Sequence, residues 1–310
     1  MSAEQLIAAI LASGLGFAIP LLVAATGELV SERAGVLNMS LEGMMLTGAF
    51  SSVIGAVESG SAVVGLFWGI AAGLALGMVQ ALASVVLRAD QIVTGLALNA
   101  LALAGTTFGA RLLFTDRGAE VPGFDGLDLG AVGDLPVIGP ALGQSVLAYV
   151  LVLSVAVVAV ITSRRTSWGI AIDAAGEDAV RADWAGVPVN RVRFASVLLA
   201  GALAGAAGAQ LALSEVHTFT DNMTAGAGYL AVVAVIAGRW RALPTVVATL
   251  AFGVAQALQY SLPAVGVDVP TGLLLMLPYA IALLATAGLV ASSRAPSALT
   301  RPFARSATGR

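Results

Sequence analysis

The stretch LIAAILASGLGFAIPLLVAA, residues 6–25, runs for twenty residues without a charge. A helix needs about 20 mostly apolar residues to cross the hydrocarbon core of a bilayer. No positive residue precedes the stretch, and no small-residue cleavage site leads from it into a soluble domain. We therefore interpret it as a retained membrane span rather than as a cleaved signal peptide.

The rest of the chain has the same character. Of its 310 residues, 58% are hydrophobic and 11% are charged, and the mean hydropathy is +0.94. Because soluble domains have roughly a quarter of their residues charged, the composition predicts an all-α, polytopic bundle of membrane helices. Nine apolar segments can be counted, at 4–26, 36–57, 61–87, 92–114, 143–162, 193–213, 227–238, 244–261 and 270–290.

The positive charges predict the orientation of these spans. Cytoplasmic loops retain Lys and Arg, and all fifteen positive residues of this chain are Arg. With the 163–192 loop and the 294–310 tail in the cytoplasm, only Arg111 and Arg117 fall on the outer side. The pattern predicts an N-terminus outside, a transmembrane domain over 1–293 and a C-terminus inside.

Two of the segments that connect the predicted spans contain residues that are unusual in a membrane protein of this composition. Ser31, Glu32 and Arg33 follow the first span and are expected to form a cytoplasmic turn. The segment 227–238 is short for a span, and the preceding NMTAGAG favours broken or re-entrant backbone. Such backbone is tolerated at membrane depth only where it is buried in protein or lines a cavity.

Polar side chains at membrane depth are candidate functional positions because they are costly in hydrocarbon. Asn38 and Glu42 follow the first join, and Gln91, Thr94 and Asn99 share roughly one face of a helix. One interpretation is a polar lining for a hydroxylated or amide-bearing solute. The alternatives are an interfacial position for Glu42 and interhelical hydrogen bonds for the second group.

Small residues recur at helix-packing spacing. Gly65, Gly69, Gly73 and Gly77 form one stripe, and the pair Gly201 and Gly205 repeats its four-residue period. Close backbone approach replaces the hydrophobic drive when helices pack in lipid. We expect packing within the bundle, with a dimer contact as the alternative.

The sequence offers no catalytic or metal-binding constellation. It has no cysteine and one histidine, which excludes disulfides, thiolate metal sites and a His-rich metal site. It also lacks the P-loop pattern for binding ATP phosphates. The chain is therefore not expected to be an enzyme, to hold a metal or to bind ATP itself.

A charged island interrupts the apolar sequence at 173–191, which reads DAAGEDAVRADWAGVPVNR. Acids at 177 and 178 in a first turn, a Glu177–Arg181 pair at i, i+4 and Gly186 as the closing residue predict one helix of about nine residues. Pro188 would stop it. A helix of roughly 14 Å is too short to span the membrane.

This short helix carries an apolar pair, Val180 and Trp184, four residues apart among charges. An aromatic side chain beside arginines is typical of an anchor between proteins. The alternative is a helix on the membrane surface, with Trp184 in the headgroup zone.

Four stretches together resemble the permease subunits of ATP-binding-cassette importers of the branched-chain amino acid, ribose and nucleoside superfamily. The resemblance is greatest to the nucleoside and simple-sugar branch, which works with a basic-membrane-protein-type lipoprotein. The stretches are GELVSERAGVLNMSLEGMMLTGAF at 27–50, ADQIVTGLALNALAL at 89–103, GEDAVRADWAGVPVNRVRFASVLLAGALAGAAGA at 176–209 and RAPSALTRPF at 294–303.

The resemblance implies an inward permease in the bacterial cytoplasmic membrane that works with several partners. These are cytoplasmic ATPases that carry ATP and magnesium, a second related permease and an external solute-binding lipoprotein, and no nucleic-acid polymer is implied. The ATPase-coupling role carries over onto Gly176, Glu177, Asp178, Arg181, Ala182, Ala185 and Gly186. Val180 and Trp184 join this set from the physical argument alone, since the family often has a small or polar residue at the position of Trp184.

The resemblance leaves the solute open among nucleosides, purines, ribose-like sugars and branched-chain amino acids. An aromatic content of 6% argues against extensive base stacking by the permease, so specificity is expected to rest largely on the external binding protein. A stand-alone secondary transporter is the alternative class. It would need ionisable residues in the middle of spans, and few are evident.

Overall fold

A computed structural model describes residues 3–114, 121–130, 133, 135–264, 270–289 and 295–304. Within these ranges the chain is helical and contains no β-strand, which confirms the predicted all-α class. π-Helical segments extend α3 over Leu82–Val86 and α9 over Leu211–Val216. The α-helices are α1 Ala3–Arg33, α2 Leu41–Ser59, α3 Ala62–Ala81, α4 Gln91–Leu113, α5 Ile138–Leu142, α6 Val146–Ile161, α7 Ser167–Glu177, α8 Ala179–Trp184, α9 Val189–Gln210, α10 Ala227–Ala237, α11 Ala242–Ala264 and α12 Thr271–Leu289.

Several of these helices match a membrane in length and composition. Five are long and apolar enough to cross, namely Glu4–Arg33, Ala62–Val86, Gln91–Leu113, Val189–Val216 and Ala242–Pro263. Shorter apolar helices occupy Val146–Ile161, Ala227–Ala237 and Gly272–Leu284. The total of nine spans and the sides of the termini stay predictions. Of the arginines used for the orientation, Arg117, Arg294, Arg305 and Arg310 lie outside the described residues.

The first helix is longer than the sequence indicated. Ser31 and Glu32 were expected in a turn, but α1 continues to Arg33 and both residues are fully buried. Each has a partner inside the protein: the Ser31 hydroxyl donates to the carbonyl of Val36 at 2.8 Å, and the Trp240 indole donates to the Glu32 carboxylate. Because the Ser31 hydroxyl and one oxygen of Glu32 are hydrogen-bonded internally, the helix does not have to end where the apolar run ends.

The glycine stripe packs inside the molecule, as expected. Gly65, Gly69, Gly73 and Gly77 are buried on α3, which lies against α2 and α9. A Cβ added at Gly73 would overlap the carbonyl oxygen of Gly201, and one added at Gly205 would overlap that of Gly69. The two glycine patterns therefore meet each other at one interface, where backbones approach closely.

The core surrounds α1, whose second half is buried against α9, α10 and α11. Outward faces of the peripheral helices instead expose large apolar side chains, which suits contact with lipid tails. Examples are Phe67, Leu101, Leu153, Leu243 and Leu283, each more than 60% exposed.

Candidate coupling segment and transport site

The predicted coupling helix is two helices rather than one. The chain breaks at Asp178, whose backbone is extended at φ −148° and ψ 94° between α7 and α8. The Asp178 carboxylate accepts hydrogen bonds from the backbone N–H groups of Val180 at 3.1 Å and Arg181 at 3.0 Å. Asp178 is therefore the N-cap of α8 and not a first-turn residue, because Asp is among the preferred N-cap residues.

This break also corrects the predicted ion pair. Glu177 ends α7, so Glu177 and Arg181 do not share a continuous helix face. Arg181 Nε lies 3.0 Å from Asp178 Oδ2 instead. The Glu177 carboxylate accepts a hydrogen bond from the hydroxyl of Ser297 at 3.2 Å.

The end of α8 follows the prediction. Gly186 has a φ of +87°, its N–H donates to the carbonyl of Asp183 at 3.0 Å, and the Val187 N–H donates to that of Ala182 at 2.9 Å. These two bonds form a Schellman motif, which closes a helix with glycine in the left-handed region. Pro188 follows, and α9 begins at once with Val189.

The two faces of α8 differ sharply in exposure. Val180 is 46% exposed and Trp184 is 78% exposed, and they lie one turn apart on the outer face. Ala179 and Ala182 are buried on the inner face, in a cluster with residues of α1, α7, α9 and the C-terminal segment. The helix thus presents an apolar side chain outward while its small residues fix it to the bundle. Ala185 and Gly186, at its end, are exposed.

Several contacts tie α7 and α8 to the ends of the long helices. Gly176 lies so close to the end of α1 that a Cβ there would overlap the carbonyl oxygen of Arg33. Asp173 pairs with Arg33 of α1 at 2.7 Å and with Arg164 at 2.8 Å. These contacts fix α7, the helix that directly precedes α8, to the end of α1.

Arg193 was not predicted to be a functional residue, because a positive charge at the start of a span is expected from orientation alone. The residue is 2% exposed. Its guanidinium donates to the carbonyl oxygens of Ala34 at 3.1 Å, Ala175 at 3.1 Å and Arg301 at 2.8 Å. One side chain of α9 thereby joins the end of α1, α7 and the C-terminal segment 295–304.

Glu42 lies at the start of α2 and binds the beginning of α10. Its Oε1 accepts hydrogen bonds from the Thr224 hydroxyl at 2.6 Å and the Gly226 N–H at 2.8 Å, and its Oε2 accepts from the Gly228 N–H at 2.6 Å. A carboxylate at a helix N-terminus is stabilised by the free N–H groups and by the helix dipole. The backbone before α10 is irregular, with positive φ at Asn222, Ala225 and Gly226.

Gln91 and Asn99 join α4 to the segment between α1 and α2. Gln91 Oε1 accepts from the Leu37 N–H at 2.9 Å, and Asn99 Oδ1 accepts from the Gly43 N–H at 2.8 Å. The Asn99 amide also donates to the carbonyl of Met39 at 2.7 Å and to the hydroxyl of Tyr229 at 2.8 Å. These are the interhelical hydrogen bonds considered as the alternative to a solute lining.

Asn38 shapes the same segment from within. Its Oδ1 accepts hydrogen bonds from the Ser40 hydroxyl at 2.6 Å and the Ser40 N–H at 3.2 Å. Its own N–H donates to Glu28, a fully buried carboxylate on α1 that the sequence analysis did not single out. Glu28 lay at the edge of the first apolar run, where a charge is expected to be solvated.

The structure thus brings four of the five predicted solute-pathway residues to the segment 37–43. Thr94 is the exception, because its hydroxyl donates to the carbonyl of Asp90 within its own helix at 2.7 Å. The partners contributed by α10 and the turn before it, Thr224 and Tyr229, were not foreseen. The lining of a solute pathway by these residues stays a prediction.

The chain matches the family model "Branched-chain amino acid transport system / permease component" over residues 10–286. It is 33% identical to the guanosine ABC transporter permease protein NupQ of Bacillus subtilis, over 98% of each chain. It is 31% identical to the nucleoside ABC transporter permease protein NupC of Lactococcus lactis, over 93% of this chain and 94% of that one.

A third relative is the putative glucose ABC transporter permease protein TsgC13 of Haloferax volcanii, 37% identical over 77% of this chain and 73% of that one. No solved structure matches the chain. Since the family match covers most of the 310 residues, the chain belongs to the family of permease components of branched-chain amino acid transport systems.

Proposed function

We propose that this permease imports nucleosides, or related simple-sugar-like solutes, by alternating access. The observation that carries the proposal is the full-length similarity to NupQ and NupC, whose names state guanosine and nucleoside transport. As a permease-family member with several membrane-length apolar helices, the chain is a multi-pass protein of the plasma membrane.

The start of α10 favours such a solute over a branched-chain amino acid. In transporters with broken helices, a helix N-terminus at membrane depth binds the substrate carboxylate. Here Glu42 already accepts hydrogen bonds from the Gly226 and Gly228 N–H groups. A second carboxylate would meet a like charge at a site whose donors are in use.

The partners follow from the same proposal. Separate cytoplasmic ATPases would bind ATP and magnesium, hydrolyse the ATP and dock on the coupling segment 163–192. A second, related permease and an external solute-binding lipoprotein would complete the importer. The N-terminus would lie outside and the C-terminus inside. The exposed Val180 and Trp184, on a helix that is fixed to α1 and α9, support this docking role.

The proposal is tested by uptake of labelled guanosine. A strain that lacks this permease but keeps its partner subunits should regain saturable, ATP-dependent guanosine uptake when the chain is restored. Uptake of leucine but not guanosine would contradict the proposed solute. Uptake that follows the proton gradient in the absence of ATP would favour a secondary transporter.

The docking role is tested in the same strain with Trp184→Ala. Truncation of an interface anchor typically costs about 2 kcal/mol or more, roughly a 30-fold loss of affinity. We expect less ATPase to co-purify with the variant, and uptake to fall with it. The matched control is Trp68→Ala, because Trp68 is 51% exposed on α3, outside the coupling segment. Equal ATPase recovery with both variants would instead assign Trp184 to the lipid headgroups.

A further inference from the structure

A cavity opens between α1, α10, α11 and α12, at the level where α10 begins. Its empty volume is about 650 Å³, counting the part open to solvent. Ala225 and Ala227, at the broken start of α10, form part of its wall, and Phe17 lines it from the middle of α1.

One wall of the cavity is aromatic. The rings of Phe17 and Tyr260 are stacked, with centroids 5.4 Å apart and planes at 21°. A third ring between them would need about 7 Å, since stacked atoms lie roughly 3.5 Å apart. Tyr260 is nevertheless 60% exposed and lines the cavity, so Phe17 does not cover the whole ring. Tyr279 is held at the rim by its hydrogen bond to the Ala225 carbonyl at 2.7 Å.

Two glutamines stand beside this aromatic wall. Gln256 lies one helical turn before Tyr260 on α11, and Gln259 is its neighbour in sequence, and both line the cavity. Neither amide is hydrogen-bonded to another side chain or backbone group in the described part of the chain. A polar amide without a partner is costly at membrane depth. Each amide offers two hydrogen-bond donors and an acceptor. This combination can form hydrogen bonds with the donors and acceptors on the edge of a heterocyclic base.

No charged residue is among the described residues that line the cavity. Glu42, the carboxylate bound to the neighbouring turn, uses both of its oxygens on Thr224, Gly226 and Gly228. An amino acid or a phosphorylated solute would enter without a counter-charge, which is unfavourable in a low-dielectric site. An uncharged, planar and hydrogen-bonding group fits the wall.

We propose that this cavity binds the nucleobase of the transported solute, with Tyr260 as the stacking platform and Gln256 as the reader of the base edge. The inference rests on the proposed nucleoside transport and extends it, because the permease itself then discriminates among solutes. Discrimination is not left to the external binding protein alone.

The test measures equilibrium binding of labelled guanosine to the purified permease–ATPase complex without the solute-binding protein, alongside guanosine uptake in cells. Stacking of one base is worth at least a fivefold change in affinity. We expect Tyr260→Ala to weaken binding at least about fivefold and Tyr260→Phe, which keeps the ring, to stay within about twofold. Ribose, which has no base, should not compete.

Gln256→Leu provides an independent variant, since leucine is fully compatible with a membrane helix. It should weaken guanosine binding roughly three- to tenfold, as expected for a lost hydrogen bond. Tyr149→Ala is the control, an exposed tyrosine on α6 outside this cavity. If wild-type cells import guanosine and neither Tyr260→Ala nor Gln256→Leu alters binding or uptake, the base site is refuted. If wild-type cells import no nucleoside, the proposed function itself fails.

Discussion

At the scale of single residues, Glu42 shows how a buried charge can be structural in a transport protein. Its three hydrogen bonds join α2 to the broken start of α10, about 180 residues later in the chain. Loss of the carboxylate would leave three donors without this partner, and the two that are buried, on Thr224 and Gly228, each cost about 1–3 kcal/mol.

We therefore predict that Glu42→Ala lowers the thermal unfolding temperature of the detergent-purified permease by several degrees and reduces uptake. Glu42→Gln keeps one acceptor oxygen, so its unfolding temperature should lie between those of the wild type and Glu42→Ala. The control is Glu4→Ala, an exposed carboxylate in the first turn of α1. A variant Glu42→Ala that unfolds like Glu4→Ala would show that the contacts of Glu42 do not stabilise the start of α10.

The sequence could locate such residues but could not identify their partners. Depth and polarity singled out Asn38, Glu42, Gln91 and Asn99, and all four are hydrogen-bonded around one segment. Asn99, however, meets a tyrosine 130 positions away. Tertiary packing brings these two residues together, so the contact could not be predicted from the local spacing of residues. Glu28 escaped notice for the same reason, since its burial depends on how far α1 extends.

At the scale of helices, the coupling segment shows where local signals succeed and where they fail. Gly186 was identified correctly because only a left-handed residue closes a helix in that way. The break at Asp178 was missed because an aspartate is equally suited to an N-cap and to a first turn. The carboxylate of Glu177 is held by Ser297 in the C-terminal segment, a contact that local sequence does not contain.

The α3–α9 interface supports a second prediction. Gly73→Ala places a methyl group against the carbonyl oxygen of Gly201, so the two helices must move apart. Overpacking costs about 1–3 kcal/mol, and the unfolding temperature should fall by roughly 2–10 °C.

Gly105→Ala is the control for this substitution, because a Cβ at Gly105 meets nothing within 4 Å. That variant should unfold at the wild-type temperature or slightly above it, since alanine is the better helix former. If the unfolding temperature fell equally in the two variants, the contact between Gly73 and Gly201 would not be the cause of the loss.

At the scale of the whole molecule, several of the described arginines lie at one end of the helical bundle, the end that carries α7 and α8. Arg33 and Arg164 both pair with Asp173 of α7. Arg193 donates to the carbonyls of Ala175 on α7 and Arg301 in the C-terminal segment. The positive-inside rule predicts that this end faces the cytoplasm.

The absence of cysteine makes the orientation directly testable. Arg181→Cys, on the 84% exposed side chain of α8, should react with a membrane-impermeant maleimide only after the cells are permeabilised. Asp128→Cys, exposed between α4 and α5, should react in intact cells. The reverse pattern would overturn the predicted topology without affecting the fold.

The buried guanidinium of Arg193 has a consequence for how the protein is made. Two of its neighbours, the carbonyls of Ala34 and Ala175, emerge from the ribosome before it, but the carbonyl of Arg301 is synthesised more than a hundred residues later. Until then the charge lacks its full set of acceptors, and the alanine cluster under α8 lacks Phe303. A chain cut short before this segment would leave α8 poorly anchored, so the docking role proposed for α8 requires the C-terminal segment.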